Sequence, residues 1–347
     1  YKRTIMKKLS LLSLALFAAG IHAGITWPPP QSTLKDIDSQ STEVKAEAIS
    51  NMPKVDISKQ MKPEIGHSDK RIKVAQAGYV PNANSTTGGD FRIACNPSHM
   101  SNDDPIVYPN QQSAAHHHTF FGNTKTDYTS TPDELKISGN STCFGGIANR
   151  SAYWVPSLID TSQDKAIKPD WALFYYKGGD ITPPNGLVII AGDQTATKDK
   201  SQSLNVIDFQ CNPHIDGYQS WKTRKNHIIP CSGDLVATVQ FPNCWDGENL
   251  DSPNHKAHMA YHNGSSCPAS HPKEIPNITY AIHYEVKETS NLRLASDNYI
   301  GGAGGYSFHG DYMFAWDDDV LETWFAECND KDRDCHANLL GNGKELY

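Results

Sequence analysis

Three histidine-bearing segments hold residue types that could bind a metal or catalyse a reaction. In the first, His116 and His118 are separated by one residue, so an extended strand places both imidazoles on one face and His117 on the other. Two imidazoles on one face can bind a divalent metal or contact one substrate oxygen. Taken alone the H-x-H pattern is weak, because two partly buried histidines bonded to the backbone would also produce it.

The second segment follows a turn rich in aspartate, asparagine and glycine. In an extended chain His258 and His262 share one face of this segment. His255 and Tyr261 share the other face. The turn also contains Asp251, which either caps the turn through neighbouring backbone amides or serves the site, and the sequence leaves both roles open.

The third segment runs from Gly304 to Asp317. Its glycines permit tight turns and a close approach of the backbone to a ligand. His309 and Asp311 are again two residues apart and share a face if the segment is extended. A buried ion pair is the alternative explanation of this H-x-D pattern.

Together the segments could supply three imidazoles and a carboxylate, which suit a divalent metal ion. Without a metal, histidine, tyrosine and a carboxylate could act as base and acid in the elimination or hydrolysis of a polysaccharide. The predicted catalytic residues are His116, His118, His255, His258, His309 and Asp311. The predicted metal ligands are His116, His118, His258 and His309. The sequence lacks a nucleophile elbow, a P-loop and a dinucleotide-binding fingerprint, which disfavours serine-hydrolase chemistry and nucleotide use.

Aromatic side chains are abundant, with 15 tyrosines and 7 tryptophans. Exposed in a groove, such rings stack on sugars; otherwise they fill a core and its edges. We expect a polysaccharide or cell-wall glycan as partner, and the predicted substrate-binding residues are Tyr153, Trp154, Trp245, Lys256 and Tyr261. The net charge is −8 and no Lys/Arg cluster occurs, which argues against a nucleic-acid partner.

The elements that would position these residues are short strands. From about Phe91 onwards, apolar runs of strand length alternate with clusters of glycine, proline, asparagine and aspartate. The runs occupy residues 153–158, 171–176, 187–191, 235–241 and 280–286, and helical spacing occurs only over 319–328. This pattern predicts a mainly β domain with long loops and little helix, built as an antiparallel β-sandwich or jelly roll.

The N-terminus has the pattern of an export signal. Met6 is followed by Lys7 and Lys8, an apolar run of about a dozen residues and a small-residue exit at Ala23. The run is shorter than the roughly twenty apolar residues that a membrane span requires. We therefore expect a secreted or periplasmic protein that is cleaved near Ala23 and has no membrane span.

Composition divides the chain into three parts. Residues 1–23 are upstream residues and the signal peptide, 24–84 are a linker or pro-segment, and 85–347 form a single β-rich domain. The middle part is rich in Lys, Asp, Glu, Ser and Gln. Such a composition buries too little apolar surface to offset the entropy of ordering, so we expect disorder, with room for a short helix over 42–50.

The cysteines indicate disulfides. All eight lie at or beyond Cys95, and an even number in an exported chain predicts up to four bridges. Moderate loop lengths favour Cys211 with Cys231 and Cys244 with Cys267. A zinc site would instead need C-x-x-C pairs, which the sequence lacks.

In order along the chain, several motifs resemble an exported family, the domain of unknown function numbered nineteen ninety-six. That family is frequent in fungi and is often joined to WSC modules implicated in carbohydrate binding. The resemblance covers about residues 91 to 330, and its marks are Asp104-Pro-Ile-Val, His116-x-His118-x-Phe120, Ser151-x-Tyr153-Trp154-x-Pro156, Phe241-Pro-x-Cys244-Trp245-Asp246-Gly247, Asp251-Ser-Pro-x-His255-Lys-x-His258, Tyr261, Cys267-Pro268, His271-Pro272 and His309-x-Asp311-Tyr-x-x-x-Trp316-Asp317. This chain has His262 where fungal members usually have proline, and His117 is also particular to it. The resemblance implies export and membership of the family rather than a defined activity.

Three hypotheses follow from the sequence. The first is a secreted lyase or hydrolase that acts on an extracellular or cell-wall polysaccharide, assisted by a divalent metal or by the histidines alone. The second is a non-catalytic surface module that binds glycan or metal. The third is purely structural, with the motifs forming a disulfide-framed core. Convergence of the histidines and Asp311 in one open place would favour the first, and burial in separate places the third.

Overall fold

The computed structural model describes residues 51–83, 88–212 and 223–347. These residues belong to one compact unit. The predicted signal peptide, its cleavage near Ala23 and the helix over 42–50 lie outside the described residues. None of the described helices is both long and apolar enough to cross a membrane.

Short strands dominate the described residues. In chain order they are β1 (Ile72–Val74), β2 (Asp90–Cys95), β3 (Pro97–Ser101), β4 (His118–Gly122), β5 (Ala152–Pro156), β6 (Leu158–Asp160), β7 (Lys165–Ala166), β8 (Trp171–Lys177), β9 (Val188–Gly192), β10 (Ile207–Cys211), β11 (Gly233–Gln240), β12 (Cys244–Trp245), β13 (Met259–Ala260), β14 (Lys273–Glu274), β15 (Asn277–Val286), β16 (Leu292–Leu294), β17 (His309–Met313), β18 (Asp334–Ala337) and β19 (Lys344–Leu346). The helices are α1 (Pro132–Ile137), α2 (Asp318–Trp324) and short 3-10 turns at Ile57–Lys59 and Gln76–Gly78. A π turn at Phe325–Asn329 continues α2, which confirms the helix predicted over 319–328.

Two large sheets form the framework. One has six strands in the order β10-β11-β15-β8-β2-β18, and the other has five in the order β3-β4-β5-β17-β9. Every pair in the five-stranded sheet is antiparallel, and the six-stranded sheet has a parallel pair between β2 and β18. The prediction of a mainly β, antiparallel fold with little helix is confirmed.

The facing sides of the two sheets share one apolar core. Tyr153 and Val155 of β5 point into it, and the Tyr153 ring stacks on Phe174 of β8 with centroids 4.0 Å apart. The Tyr153 hydroxyl lies 2.8 Å from that of Tyr176, which in turn lies 2.9 Å from that of Tyr312, so these buried hydroxyls satisfy one another. Tyr153 was predicted to bind substrate; it is a core residue instead.

The opposite, outer face of the five-stranded sheet carries the candidate site. Because side chains alternate along a strand, His118 and Phe120 of β4 share this face. His309 and Asp311 of β17 share it for the same reason. Trp154 of β5 is the cross-strand partner of both Phe120 and Asp311, which fixes the register of the three strands.

A second apolar cluster covers part of this outer face. It joins Phe120 and Trp154, whose rings stack with centroids 5.5 Å apart, to Ile106 from the connection before β4 and to Leu135 of α1. Trp154 is completely buried in it. The prediction that Trp154 stacks on a sugar is therefore wrong, because its ring is already covered by the protein.

Residues 51–83, which the sequence assigned to a disordered linker or pro-segment, contact the sandwich. β1 pairs with β19, and the amide of Asp56 donates to a backbone carbonyl in the β6–β7 turn at 2.6 Å. The Gln60 amide is 2.8 Å from His117 Nε2. This part of the chain is ordered, because strand pairing and a bond to the buried His117 hold it against the sheets. The remainder of the predicted linker lies outside the described residues.

Four disulfides brace the fold. They join Cys95 to Cys143, Cys211 to Cys231, Cys244 to Cys267 and Cys328 to Cys335. Both pairs expected from loop length are confirmed. Four bridges are consistent with a protein that matures in an oxidising, extracytoplasmic compartment.

Candidate metal centre

Three histidine side chains converge on the outer face of the five-stranded sheet. His118 begins β4, His309 begins β17 and His116 lies two residues before β4. The ring centroids are 4.2 Å apart for His116 and His118, 5.0 Å for His116 and His309, and 6.0 Å for His118 and His309. One nitrogen from each ring lies within 4.8 Å of the other two. We call these three residues the histidine triad.

Backbone carbonyls orient two of the three triad imidazoles. His118 Nδ1 donates to the Asp103 carbonyl at 3.0 Å, and His309 Nδ1 donates to the Ser307 carbonyl at 2.8 Å. Because Nδ1 carries the proton in each case, Nε2 presents a lone pair. The Nε2 atoms of His116 and His118 are buried without a hydrogen-bond partner, which is uncommon in native structures. Lone pairs held in this orientation are suited to bind a metal ion. Histidines that ligate metals typically donate the other ring N–H to a backbone carbonyl or carboxylate, as His118 and His309 do here.

Asp311 adds a carboxylate beside the triad. Its Oδ2 lies 3.9 Å from His309 Nε2, too far for a hydrogen bond, and has no other partner. Two acceptor atoms that face each other at this distance suit a cation between or near them. Imidazole and carboxylate together are common ligands of divalent transition metals.

Burial keeps the triad neutral. Desolvation lowers the pKa of His118 to about 3 and that of His309 to about 3, and it lowers the pKa of His116 well below its usual value. Burial also raises the pKa of Asp311 well above its usual value, and the nearby Asp104 carboxylate raises it further. Neutral imidazole is the form that ligates metals, and a divalent ion would favour the ionised form of Asp311.

A pocket of about 430 Å³, the larger pocket, reaches the triad at His116. Asn102, Tyr108 and Gln194 line it with polar groups. Lys54, from the N-terminal segment, lines it with a positive charge.

A pocket of about 160 Å³, the smaller pocket, reaches the site at His309 and Asp311. Lys256 and Gln194 also line it. Gln194 lines both pockets. The triad is therefore bordered by two pockets, although its rings are largely buried.

Asp104 is a second buried carboxylate in the smaller pocket. Its Oδ1 accepts 3.0 Å bonds from the amides of Ile106 and Val107, which explains why aspartate opens the Asp-Pro-Ile-Val motif. Burial raises its pKa. The site residues predicted from the sequence do not include Asp104, although the Asp-Pro-Ile-Val motif that begins with it could have indicated a role at the site.

Comparison with protein families matches residues 104–316 to the family described as Domain of unknown function (DUF1996). The match spans more than half of the chain. The chain belongs to this family. The resemblance noted from the motifs is thus confirmed, and the matched region contains the whole triad and Asp311. Comparisons with curated proteins and with solved structures found no match.

Within the DUF1996 region, His258 lies apart from the triad, contrary to its predicted grouping as a ligand. Its Nε2 is 2.6 Å from the Val188 carbonyl and its Nδ1 is 2.9 Å from Ser252 Oγ. The ring is fully buried, and both nitrogens are already bonded. His258 thus ties the loop after β12 to strand β9.

His255 and Lys256 of the same DUF1996 motif lie at the edge of the site. His255 Nδ1 is 2.9 Å from the Asp251 carboxylate, so Asp251, whose role the sequence left open, bonds to His255 within the loop. Lys256 Nζ donates to the Gly192 carbonyl at 2.7 Å and faces the smaller pocket. Both residues adjoin the triad without joining it.

The predicted sugar-binding aromatics of the DUF1996 region do not line either pocket. Trp245 is half-buried and donates its indole N–H to the Asn249 carbonyl at 2.7 Å. Tyr261 is 38% exposed, but it lines a different groove and donates to the Gln240 carbonyl. Tyr108, which the sequence did not single out, lines the larger pocket instead.

Proposed function

We propose that this protein is an exported, metal-dependent enzyme that cleaves glycosidic bonds of an extracellular or cell-wall polysaccharide by hydrolysis or elimination. The histidine triad would hold a divalent ion, with Asp311 as a further ligand or as a proton acceptor. The observation that carries the proposal is the meeting of three imidazoles from two distant segments beside two pockets, with the Nε2 atoms of His116 and His118 buried and unpartnered.

The chemistry follows from these residues. When bound, a divalent ion supplies a Lewis acid that polarises a substrate oxygen. The carbonyls of Asp103 and Ser307 hold two imidazoles in the ligating orientation. The Asp311 carboxyl can hold or release a proton at Oδ2 next to the smaller pocket.

Export and the glycan substrate have separate support. The four disulfides suit an oxidising compartment, and the N-terminal pattern predicts a signal peptide. Polar groups of Asn102, Tyr108 and Gln194 in the larger pocket suit a hydroxyl-rich ligand.

The burial of His118 and His309 favours a second candidate function, a metal- or glycan-binding module without catalysis. Their exposed fractions are 0% and 4%, so a bound ion would be reached only through the pockets. A structural ion is the usual occupant of closed sites, whereas catalytic sites keep an open position.

Metal analysis of the purified full-length protein tests the site. We expect about one transition-metal ion per chain in the wild type, and loss of that ion in His118→Ala and His309→Ala. His336→Ala is the matched control, because the His336 side chain is 64% exposed and lies outside the site. Thermal unfolding in a chelator reports whether each variant is folded. A folded His118→Ala variant that retained a full complement of metal would contradict the proposal.

A product screen on cell-wall polymers tests catalysis. The metal-loaded protein is incubated with neutral and acidic polysaccharides, and reducing ends and unsaturated products are measured. Products that disappear in folded His309→Ala support the enzyme. Bound metal with no product from any polymer would support the binding module instead.

A further inference from the structure

The larger pocket combines a free positive charge, hydrogen-bonding groups and a ligand of the proposed metal. We infer that this pocket binds an acidic sugar unit, with Lys54 as the counter-charge for its carboxylate or sulfate group. The inference rests on the proposed function, because it names the substrate class of the same site. It also gives the N-terminal segment a role in recognition.

The segment that carries Lys54 is held against the sheets by packing and hydrogen bonds. Val55 packs against an apolar cluster beside the five-stranded sheet. The Asp56 amide bonds to the backbone of the β6–β7 turn at 2.6 Å. Gln60 is 2.8 Å from His117, whose neighbour His118 belongs to the triad. The stretch of chain that leads into β4 therefore carries two triad histidines and also holds the segment that presents Lys54.

Lys54 is available to a ligand. Its side chain is exposed on the pocket and makes no ion pair with any described residue. Lys59, five residues later, already pairs with Asp56 at 3.1 Å. No aspartate or glutamate is among the described residues that line the larger pocket. An anion in this pocket would therefore meet a lysine and no local carboxylate.

The polar lining suits a sugar that carries such a group. Ser113, Tyr108 and Gln194 offer a hydroxyl, a phenol and an amide around the pocket. His116 closes the end nearest the triad, so a bound acidic unit would lie beside the proposed ion. The positive charge of that ion would add to the attraction of Lys54.

The smaller pocket has a mixed charge. Lys256 supplies a second cation, while Asp104 and Asp311 are buried carboxylates. The pKa of Asp193 is lowered mainly by hydrogen bonds from Thr195. The nearby charge of Lys256 lowers it further. The balance of charges there is less positive than in the larger pocket. The acidic unit is thus assigned to the larger pocket, and the adjoining unit to the smaller one.

Binding measurements on the metal-loaded full-length protein test this assignment without requiring turnover. The probes are a polyuronate, a sulfated glycan and a neutral glucan, measured by calorimetry or affinity electrophoresis at low salt. We expect the wild type to prefer a charged polymer, and the polyuronate and sulfated arms identify which acidic group is recognised. Lys54→Gln should weaken binding of that polymer about tenfold and Lys54→Glu more, while binding to the glucan stays unchanged.

Lys62→Gln is the matched control. Lys62 is an exposed lysine of the same segment that does not line the pocket, so its loss should leave binding unchanged. Metal content should be equal in all these variants. A preference for the neutral glucan, or equal binding by Lys54→Gln and the wild type, would overturn the inference and leave the metal proposal standing. Absence of metal from the wild type would instead overturn the proposed function.

Discussion

Trp154 and Asp311 are direct cross-strand neighbours on the outer face of the five-stranded sheet. The Trp154 indole N–H and the Asp311 Oδ2 are both buried and both lack a hydrogen-bond partner. A large apolar ring therefore packs next to the carboxylate of the proposed metal site and excludes water from it. This arrangement accounts for the raised pKa of Asp311, whose main cause is burial.

Replacement of Trp154 should lower the stability of the fold rather than act directly on ligand binding. Trp154→Ala removes a fully buried ring that stacks on Phe120, and we expect a loss of about 3–5 kcal/mol in the free energy of unfolding. Trp154→Phe should cost much less, because most of the packing is kept. Chemical denaturation measures both. A stable Trp154→Ala protein with impaired glycan binding would restore the stacking role predicted from the sequence.

Asp311→Asn tests the carboxylate while keeping its shape. We expect the metal affinity to fall about 10–100-fold, because the amide cannot supply a negative charge to the ion. The metal-free variant should be at least as stable as the wild type, since a buried ionisable group is removed. Competition with a chelator gives the affinity, and thermal unfolding gives the stability. Unchanged metal affinity would remove Asp311 from the site.

The pH dependence of the stability of the metal-free protein should come in part from His117. Burial lowers the pKa of this imidazole to about 4, whereas an unfolded histidine titrates near 6.5. A lowered folded-state pKa means that stability is complete above about pH 6.5 and is lost as the pH falls towards about 4. The loss from this residue should reach about 3 kcal/mol.

Urea denaturation in a chelator, repeated across that pH range, measures this effect. His117→Asn should show a shallower fall, while His99 and the triad histidines, whose pKa values burial also lowers, should leave pH dependence in both proteins. An identical pH profile for His117→Asn and the wild type would contradict the assignment. The comparison also tests the bond between His117 and Gln60 that holds the N-terminal segment.

The Cys95–Cys143 disulfide closes a separation of 48 residues and joins β2 to the connection before β5. Removing it by replacing both cysteines with alanine should cost about 4 kcal/mol in the free energy of unfolding, from the entropy of the unlinked chain. Denaturation of the variant and the wild type under the same conditions measures the difference. A difference close to zero would show that the sandwich does not depend on this bridge.

Backbone geometry explains what could be predicted of the site. The period of two along a strand places His309 and Asp311 on one face whatever the surrounding sequence, so local spacing was a reliable guide. It also separates His118 from His117, which indeed lie in different environments. That β4 and β17 flank the same strand depends on the sheet order, which the histidine spacing alone does not encode.

The remaining site predictions depended on tertiary contacts. His258 has a suitable residue type and spacing, but a carbonyl of β9 and a serine occupy its nitrogens. Tyr153 and Trp154 lie in a strand that is buried on both faces, and an apolar run does not reveal which aromatic will be exposed. Lys54 lies in a segment whose composition resembles a linker, so its position at the pocket follows only from the packing of that segment.

The strand β2 lies between β8 and β18 in the six-stranded sheet, yet it precedes the region matched to the family. A fragment trimmed to residues 104–316 would lack this strand, leave Cys143 with an unpaired thiol and uncover Phe174 and Tyr176. Such a product is prone to aggregate and to form mixed disulfides between molecules. Recombinant production should therefore begin upstream of Met52 and continue to Tyr347, so that every strand pair and every bridge can form within a single molecule.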